Sequence, residues 1–205
     1  MIKIKTYKVF STLLLYPDND FYNNIECVID ILKDEKLLSL EKIIEMDLFV
    51  SHVKKNELLF LQESYVSIFD RQKHFSLYLF EHIHGDSRER GMAMVDLGNL
   101  YKKSNFEMLT SGELPDYIPV FLEYLSLLSK DKSSMLLGEI VNILAILRTR
   151  LKMINSPYYI IFFLLEFLSK NKPDEMVIKK IIANDKVSKL SNVELDKNWT
   201  EPKIF

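Results

Sequence analysis

The chain has 205 residues, of which 48% are hydrophobic and 27% charged, ordinary globular proportions that exclude disorder as its main state. Only 5 glycines and 6 prolines are present, too few for the many tight turns of a β-sandwich or barrel, so long helices are expected. A formal net charge of −2 leaves no basic footprint for nucleic acid.

Met1 to Lys8 alternates isoleucine and lysine, and Val9 to Tyr16 lacks a small-residue cleavage site, so no secretory signal is expected. The one cysteine, Cys27, excludes an internal disulfide framework and a multi-cysteine metal site. It is expected as a buried thiol in a cytosolic protein. Apolar spacing predicts helices near 3–15, 19–33, 36–54, 56–70, 76–83, 86–103, 116–130, 133–154 and 157–170, with a weaker one near 174–184. Leu58, Leu61, Tyr65, Ile68 and Phe69 fall on one face at steps of three and four. Leu137, Ile140, Val141, Leu144, Leu147 and Leu151 do the same, and Ile143 and Ile146 widen that stripe. A helix so broadly apolar belongs at the centre of a bundle.

Ser156 followed by Pro157 reads as a cap and first turn, and Lys170 to Pro173 as the stop of that helix. Between them the run Tyr158 to Phe163 and beyond is interrupted by Glu166 and falls short of the roughly 20 apolar residues of a membrane span. From Asn184 onward the chain turns polar until Trp199 and Phe205. The reading is an all-α, single-domain bundle of nine to ten helices over 1–184. A polar, mobile tail over 185–205 would dock through those aromatics.

Two clusters carry the chemistry. In the first, Glu81, His82, His84, Asp86, Arg88, Glu89 and Arg90 surround Gly85. His82, His84 and Asp86 spell an H-x-H-x-D string, as in the zinc sites of metallo-β-lactamases. That fold needs a sheet the sequence does not offer, and no further histidines supply its later ligands. Residues two apart on a helix also point away from each other. A helix–loop–helix corner accounts for the string: Gly85 ends one helix, Asp86 or Ser87 caps the next, and Arg88 and Arg90 pair with Glu81 or Glu89. In the second cluster, Asp116 is placed to cap a helix with Pro119 in its first turn. Glu113 and Asp116 would leave an acidic rim beside Tyr117, suited to a cationic amphipathic peptide. No Gly-x-Ser-x-Gly elbow or phosphate loop appears, so no enzymatic centre is expected.

The run from Leu79 through His82, His84, Asp86, Arg88 and Arg90 to Leu97, and the run from Glu113 through Asp116, Tyr117 and Pro119 to Leu125, resemble the signatures of the NarJ family. These are the assembly chaperones, or delta subunits, of respiratory nitrate reductase, within the wider TorD/DmsD superfamily. The stretch Tyr65 to Arg71 and the close from Trp199 to Phe205 fit as well. The resemblance implies an all-helical cytoplasmic chaperone that is not an enzyme and holds no stable cofactor. It implies binding of the N-terminal amphipathic segment of the nitrate reductase alpha subunit until the molybdenum bis(guanine dinucleotide) cofactor is inserted, before membrane docking. Cofactor-delivery proteins are further partners it admits. The grip is helix-in-groove recognition.

By position, Asp116 matches the acidic residue of the superfamily's Pro-Asp-His element and would engage basic client residues. Tyr117 stands where many relatives have histidine, without its titration near neutrality. Tyr65 and Phe69 match an aromatic pair bordering the groove. Glu113, Glu81, His82, His84, Asp86, Arg88 and Arg90 complete the expected client-binding set. Two alternatives stand beside this reading: a sister chaperone for an S- or N-oxide reductase, and a metal-dependent helical hydrolase using His82, His84 and Asp86.

Overall fold

The computed structural model describes residues 4–82, 88–106 and 112–185. Among them lie α1 (Lys5–Leu13), α2 (Asn19–Asn24), α3 (Cys27–Glu35), α4 (Leu40–Lys55), α5 (Leu58–Tyr65), α6 (Arg88–Lys103), α7 (Ile118–Leu125), α8 (Lys130–Glu139), α9 (Val141–Met153), α10 (Tyr159–Leu168) and α11 (175–185). A π-helical turn, Val66–Asp70, continues α5, and 3-10 turns span Lys73–Phe75 and Leu79–His82. The fold is all-α. The described residues form no strand, only an isolated antiparallel bridge between Tyr78 and Tyr117.

The centre is α9 against α10, as the breadth of the α9 stripe requires. Leu144, Leu147 and Leu151 of α9 and Ile161, Phe162, Leu164 and Leu165 of α10 are fully buried, each contributing about 1.5–3 kcal/mol. α4 packs on α10, and α1 lies between α3 and α7. The α5 stripe is buried at Leu61, Tyr65, Ile68 and Phe69. No helix among the described residues is long and apolar enough to cross a membrane.

Helix ends are fixed by local and distant groups. The free amides of Lys5 and Thr6 at the start of α1 donate to Glu35 at 2.7 and 2.5 Å, so the end of α3 caps α1. Asn155 after α9 and Asn105 after α6 both take positive φ, which asparagine tolerates. The amide of Phe106 then reaches the Tyr101 carbonyl at 3.0 Å, and that of Ser156 the Leu151 carbonyl at 3.0 Å. Ser156 therefore ends α9 and does not cap α10, whose N-cap is Tyr158. Its hydroxyl is buried with no partner among the described residues.

Four expectations are corrected, two of them by tertiary contacts. The helix expected over 19–33 is two, α2 and α3, separated by a turn at Ile25 and Glu26. The helix expected over 133–154 breaks at Ile140 (φ −108°, ψ 7°). There Asn171 lies so close that a Cβ on Gly138 would sit 2.8 Å from its amide nitrogen. The described part of the helix expected over 76–83, residues 76–82, is no α-helix, because Leu77 and Leu79 pair across to the second signature. Cys27, at the start of α3, is exposed. α11 reaches Asp185, the first residue of the expected tail and the last described residue; Trp199 and Phe205 lie outside the described residues.

One charge is set into the central pair. Arg148 of α9 donates through Nε to Glu166 Oε1 of α10 at 2.6 Å. Burial nevertheless pushes the Glu166 carboxyl up to about 7, with Arg148 opposing the shift. A raised folded-state value means that this group's stabilising contribution is full below the ordinary carboxylate range and is lost as pH rises through about 7. Glu166→Gln lacks that loss. Its stability relative to the parent should improve by about 2 kcal/mol between pH 5 and 8, read from thermal melts of both proteins. A flat or falling difference would contradict the burial argument.

Candidate functional site

The Tyr78–Tyr117 bridge joins the two signature runs. The amide of Leu79 donates to the Asp116 carbonyl at 2.9 Å, and that of Ile118 to the Leu77 carbonyl at 2.8 Å. Asp116 completes the junction, its Oδ2 accepting from the Phe80 amide at 3.1 Å. Its side chain is 0% exposed, and Oδ1 has no partner among the described residues. Burial pushes its carboxyl above the ordinary range. The expected cap is thus a tertiary anchor: α7 starts at Ile118 with Tyr117 as N-cap and Pro119 in its first turn. The expected surface acid lies under the surface.

Around this junction stands a tyrosine cluster. The rings of Tyr78 and Tyr117 are 5.1 Å apart, and Tyr78 donates its hydroxyl to Glu113 Oε1 at 2.8 Å. The Tyr117 hydroxyl is 3.4 Å from that of Tyr65, which donates to the Leu14 carbonyl at 2.9 Å. Tyr65 and Phe69 stack at 4.9 Å and meet Tyr158 behind them. At 4% and 7% exposure both lie buried beneath the tyrosine cluster. Tyr16, half exposed, meets Tyr65 edge-on at 5.7 Å.

Burial pushes the Tyr117 phenol up, and the carboxylates of Glu113 and Asp70 add to this. The Glu113 carboxylate touches the cluster through Tyr78, and neither Glu113 nor Asp70 forms an ion pair with a cation among the described residues. A groove of about 450 Å³ opens beside Tyr16, along Leu59, Gln62, Glu63, Val66 and Arg71. Its wall is the π-helical turn, where the Arg71 amide reaches back to the Val66 carbonyl at 3.1 Å.

His82 has both ring nitrogens engaged: Nε2 lies 2.8 Å from the Ser76 carbonyl and Nδ1 3.4 Å from Arg150 Nη1. Burial lowers its pKa, which keeps the ring neutral, donating from Nε2 and accepting at Nδ1. A guanidinium against Nδ1 takes the first ligand from the metal-hydrolase alternative. Among the described residues no group of three His, Cys, Asp or Glu could hold a metal ion. Arg90 pairs with Glu81 at 3.5 Å, as the corner reading expects. His84, Asp86 and the side chain of Arg88 lie outside the described residues.

Four residues of this region escaped the sequence reading. Tyr78 and Asp70 each stand at the edge of a recognised run. Arg150 binds Asp185 through Nε and Nη2 at 2.8 and 3.1 Å and the His74 carbonyl at 2.8 Å. An arginine between the core residues Leu147 and Leu151 was its available signal. Tyr101 is the only buried side chain among those described in α6.

Three comparisons bear on this architecture. The nitrate reductase delta subunit family matches residues 34–164. The nitrate reductase molybdenum cofactor assembly chaperone NarJ of Escherichia coli (strain K12) is 35% identical over 196 residues, 96% of this chain and 82% of that one. The crystal structure of a redox enzyme maturation protein from Archaeoglobus fulgidus aligns with TM-score 0.48 at 22% identity, over 80% of this chain and 90% of that chain. The helical body with its two joined signature runs belongs to the nitrate reductase delta subunit family, whose relative matched here is named an assembly chaperone and not a catalyst.

Proposed function

We propose that this protein binds the N-terminal segment of the nitrate reductase alpha subunit as an amphipathic helix. It keeps that subunit competent to receive the molybdenum bis(guanine dinucleotide) cofactor in the cytoplasm, before the subunit docks at the membrane. The cofactor is the client's cargo. The observation that carries the reading is the site where the signatures meet: tyrosines 78 and 117 half buried, the Glu113 carboxylate accepting from Tyr78, the Asp70 charge acting on Tyr117, and a groove of mixed apolar and polar lining alongside. Apolar anchors of a client helix would enter the groove beside Tyr16 and Leu59, and its basic residues would meet Glu113 and Asp70. Asp116 supports this by holding the Leu79–His82 turn from below. It is a positioning residue in this scheme.

Calorimetric titration with a synthetic peptide of the alpha-subunit N-terminus tests it. Saturable one-to-one binding with a negative heat-capacity change is expected from apolar burial. Glu113→Lys should weaken binding about tenfold or more, since a like charge replaces a rim carboxylate. Equal binding of a shuffled peptide, or indifference to Glu113→Lys, would refute this placement of the client.

A further inference from the structure

α4 is apolar on two opposite faces. Ile43, Met46, Val50 and Val53 are buried against the body. Leu40, Ile44 and Leu48 are 73%, 68% and 56% exposed. At 100° per residue these three fall within about 80° of one another, on the side away from the core, as a stripe about 12 Å long. Isolated exposed leucines need no explanation, but three anchors in one helical row form a contact surface.

The rim of the stripe says what covers it. Glu41 and Glu45 flank it on one side and Asp47 on the other, and none of the three pairs with a cation among the described residues. The nearby Lys42 is turned away over the rings of Phe163 and Phe167, at 4.4 and 5.6 Å. His52, on the flank of Glu41 and Glu45, has its pKa lowered by burial and adds no charge near neutrality. Lys55 is exposed in the same row, about 10 Å beyond Leu48 at the end of α4, but over the stripe itself a second copy of this chain would set acidic rim against acidic rim, and an anionic lipid surface would be repelled in the same way.

We infer that the Leu40–Ile44–Leu48 stripe of α4 is a second docking surface, which takes a basic amphipathic helix of a partner protein. Leucines or similar residues at i, i+4 and i+7 would lie along the stripe, with lysines or arginines on the rim carboxylates. This surface shares no residue with the Tyr117 site and stands independently of it.

The probe is a fluorescent peptide of about 14 residues with leucines at i, i+4 and i+7 flanked by lysines, titrated by anisotropy into the full chain. Its counterpart with glutamates for lysines serves as the comparison. The lysine peptide should bind at least about tenfold more tightly than the glutamate peptide, and less so at high salt. Combining Leu40→Ser, Ile44→Ser and Leu48→Ser should cost about tenfold or more. These positions are exposed, so the melting temperature should hold. Combining Glu41→Lys, Glu45→Lys and Asp47→Lys should invert the preference between the two peptides. Both combined variants should bind the nitrate reductase peptide as the parent does. Equal binding of both probes, or unchanged binding by the serine variant, would overturn the inference. So would sedimentation showing a parent dimer that the serine variant dissolves, since a second copy would then cover the stripe.

Discussion

Replacing Asp116 with alanine is expected to destabilise the chain by about 2 kcal/mol, because the Phe80 amide loses its acceptor inside the protein. For a chain of this size that is a fall of roughly 4–8 °C in melting temperature. Asp116→Asn should behave differently, since the amide oxygen can keep the bond without a buried charge. Burial raises the Asp116 carboxyl, so its stabilising contribution is present at low pH and lost as pH rises through that raised value. The melting temperature of Asp116→Asn relative to the parent should therefore improve from pH 4 to 8. Client binding separates positioning from contact. Alanine should weaken it by loosening the Leu79–His82 turn, and asparagine should preserve it. Equal loss in both variants would mean that the charge itself meets the client.

Tyr101→Ala should have a larger effect, about 3–5 kcal/mol for a buried aromatic. Tyr101 is 2% exposed and packs on Tyr124 at 4.7 Å and Phe106 at 5.3 Å. Its hydroxyl donates to the Pro115 carbonyl at 2.8 Å, so α6 is tied to the start of the second signature through this side chain. Leu97 and Leu100 add only partly buried contacts to the core, and Met92 and Val95 on the same helix are 58% and 63% exposed. Hydrogen exchange should show α6 amides losing protection in Tyr101→Ala, while those of α9 and α10 keep most of theirs. Tyr101→Phe should cost only about 1 kcal/mol, the hydrogen bond alone. Uniform loss across all helices would mean that α6 is held by more than this anchor.

Much of the fold could be read from apolar spacing, because burial imposes a period that helices cannot hide. The α5 stripe, the broadly apolar α9 and the strongly apolar α10 are cases. Asp116 and Ser156 could not be read correctly. Both are good capping residues by type, but the partners that decide their roles lie far away in sequence or, for Ser156, in the preceding helix. The break at Ile140 depends on Asn171, more than thirty residues on, and on the room that Gly138 leaves for it. Within the site, the two signature runs were recognisable as strings. That Tyr65 and Phe69 are buried while Tyr78 stands against Tyr117 depends on contacts between distant segments, which local patterns do not encode.

α11 rests on a small apolar cluster of its own, in which Ile178 meets Ala145 and Ile146 apart from the main core. Asn142 accepts from the Asp174 amide at its start, and Arg150 grips Asp185, the last described residue. A helix so attached is expected to behave as a separate cooperative unit, detaching at a fraction of the free energy that unfolds the rest. Denaturation followed by a probe on α11 should accordingly show a transition ahead of the one reported by Tyr158, with the body still folded between them. Arg150 also contacts His82, so the first step would be felt at the signature run before the core yields.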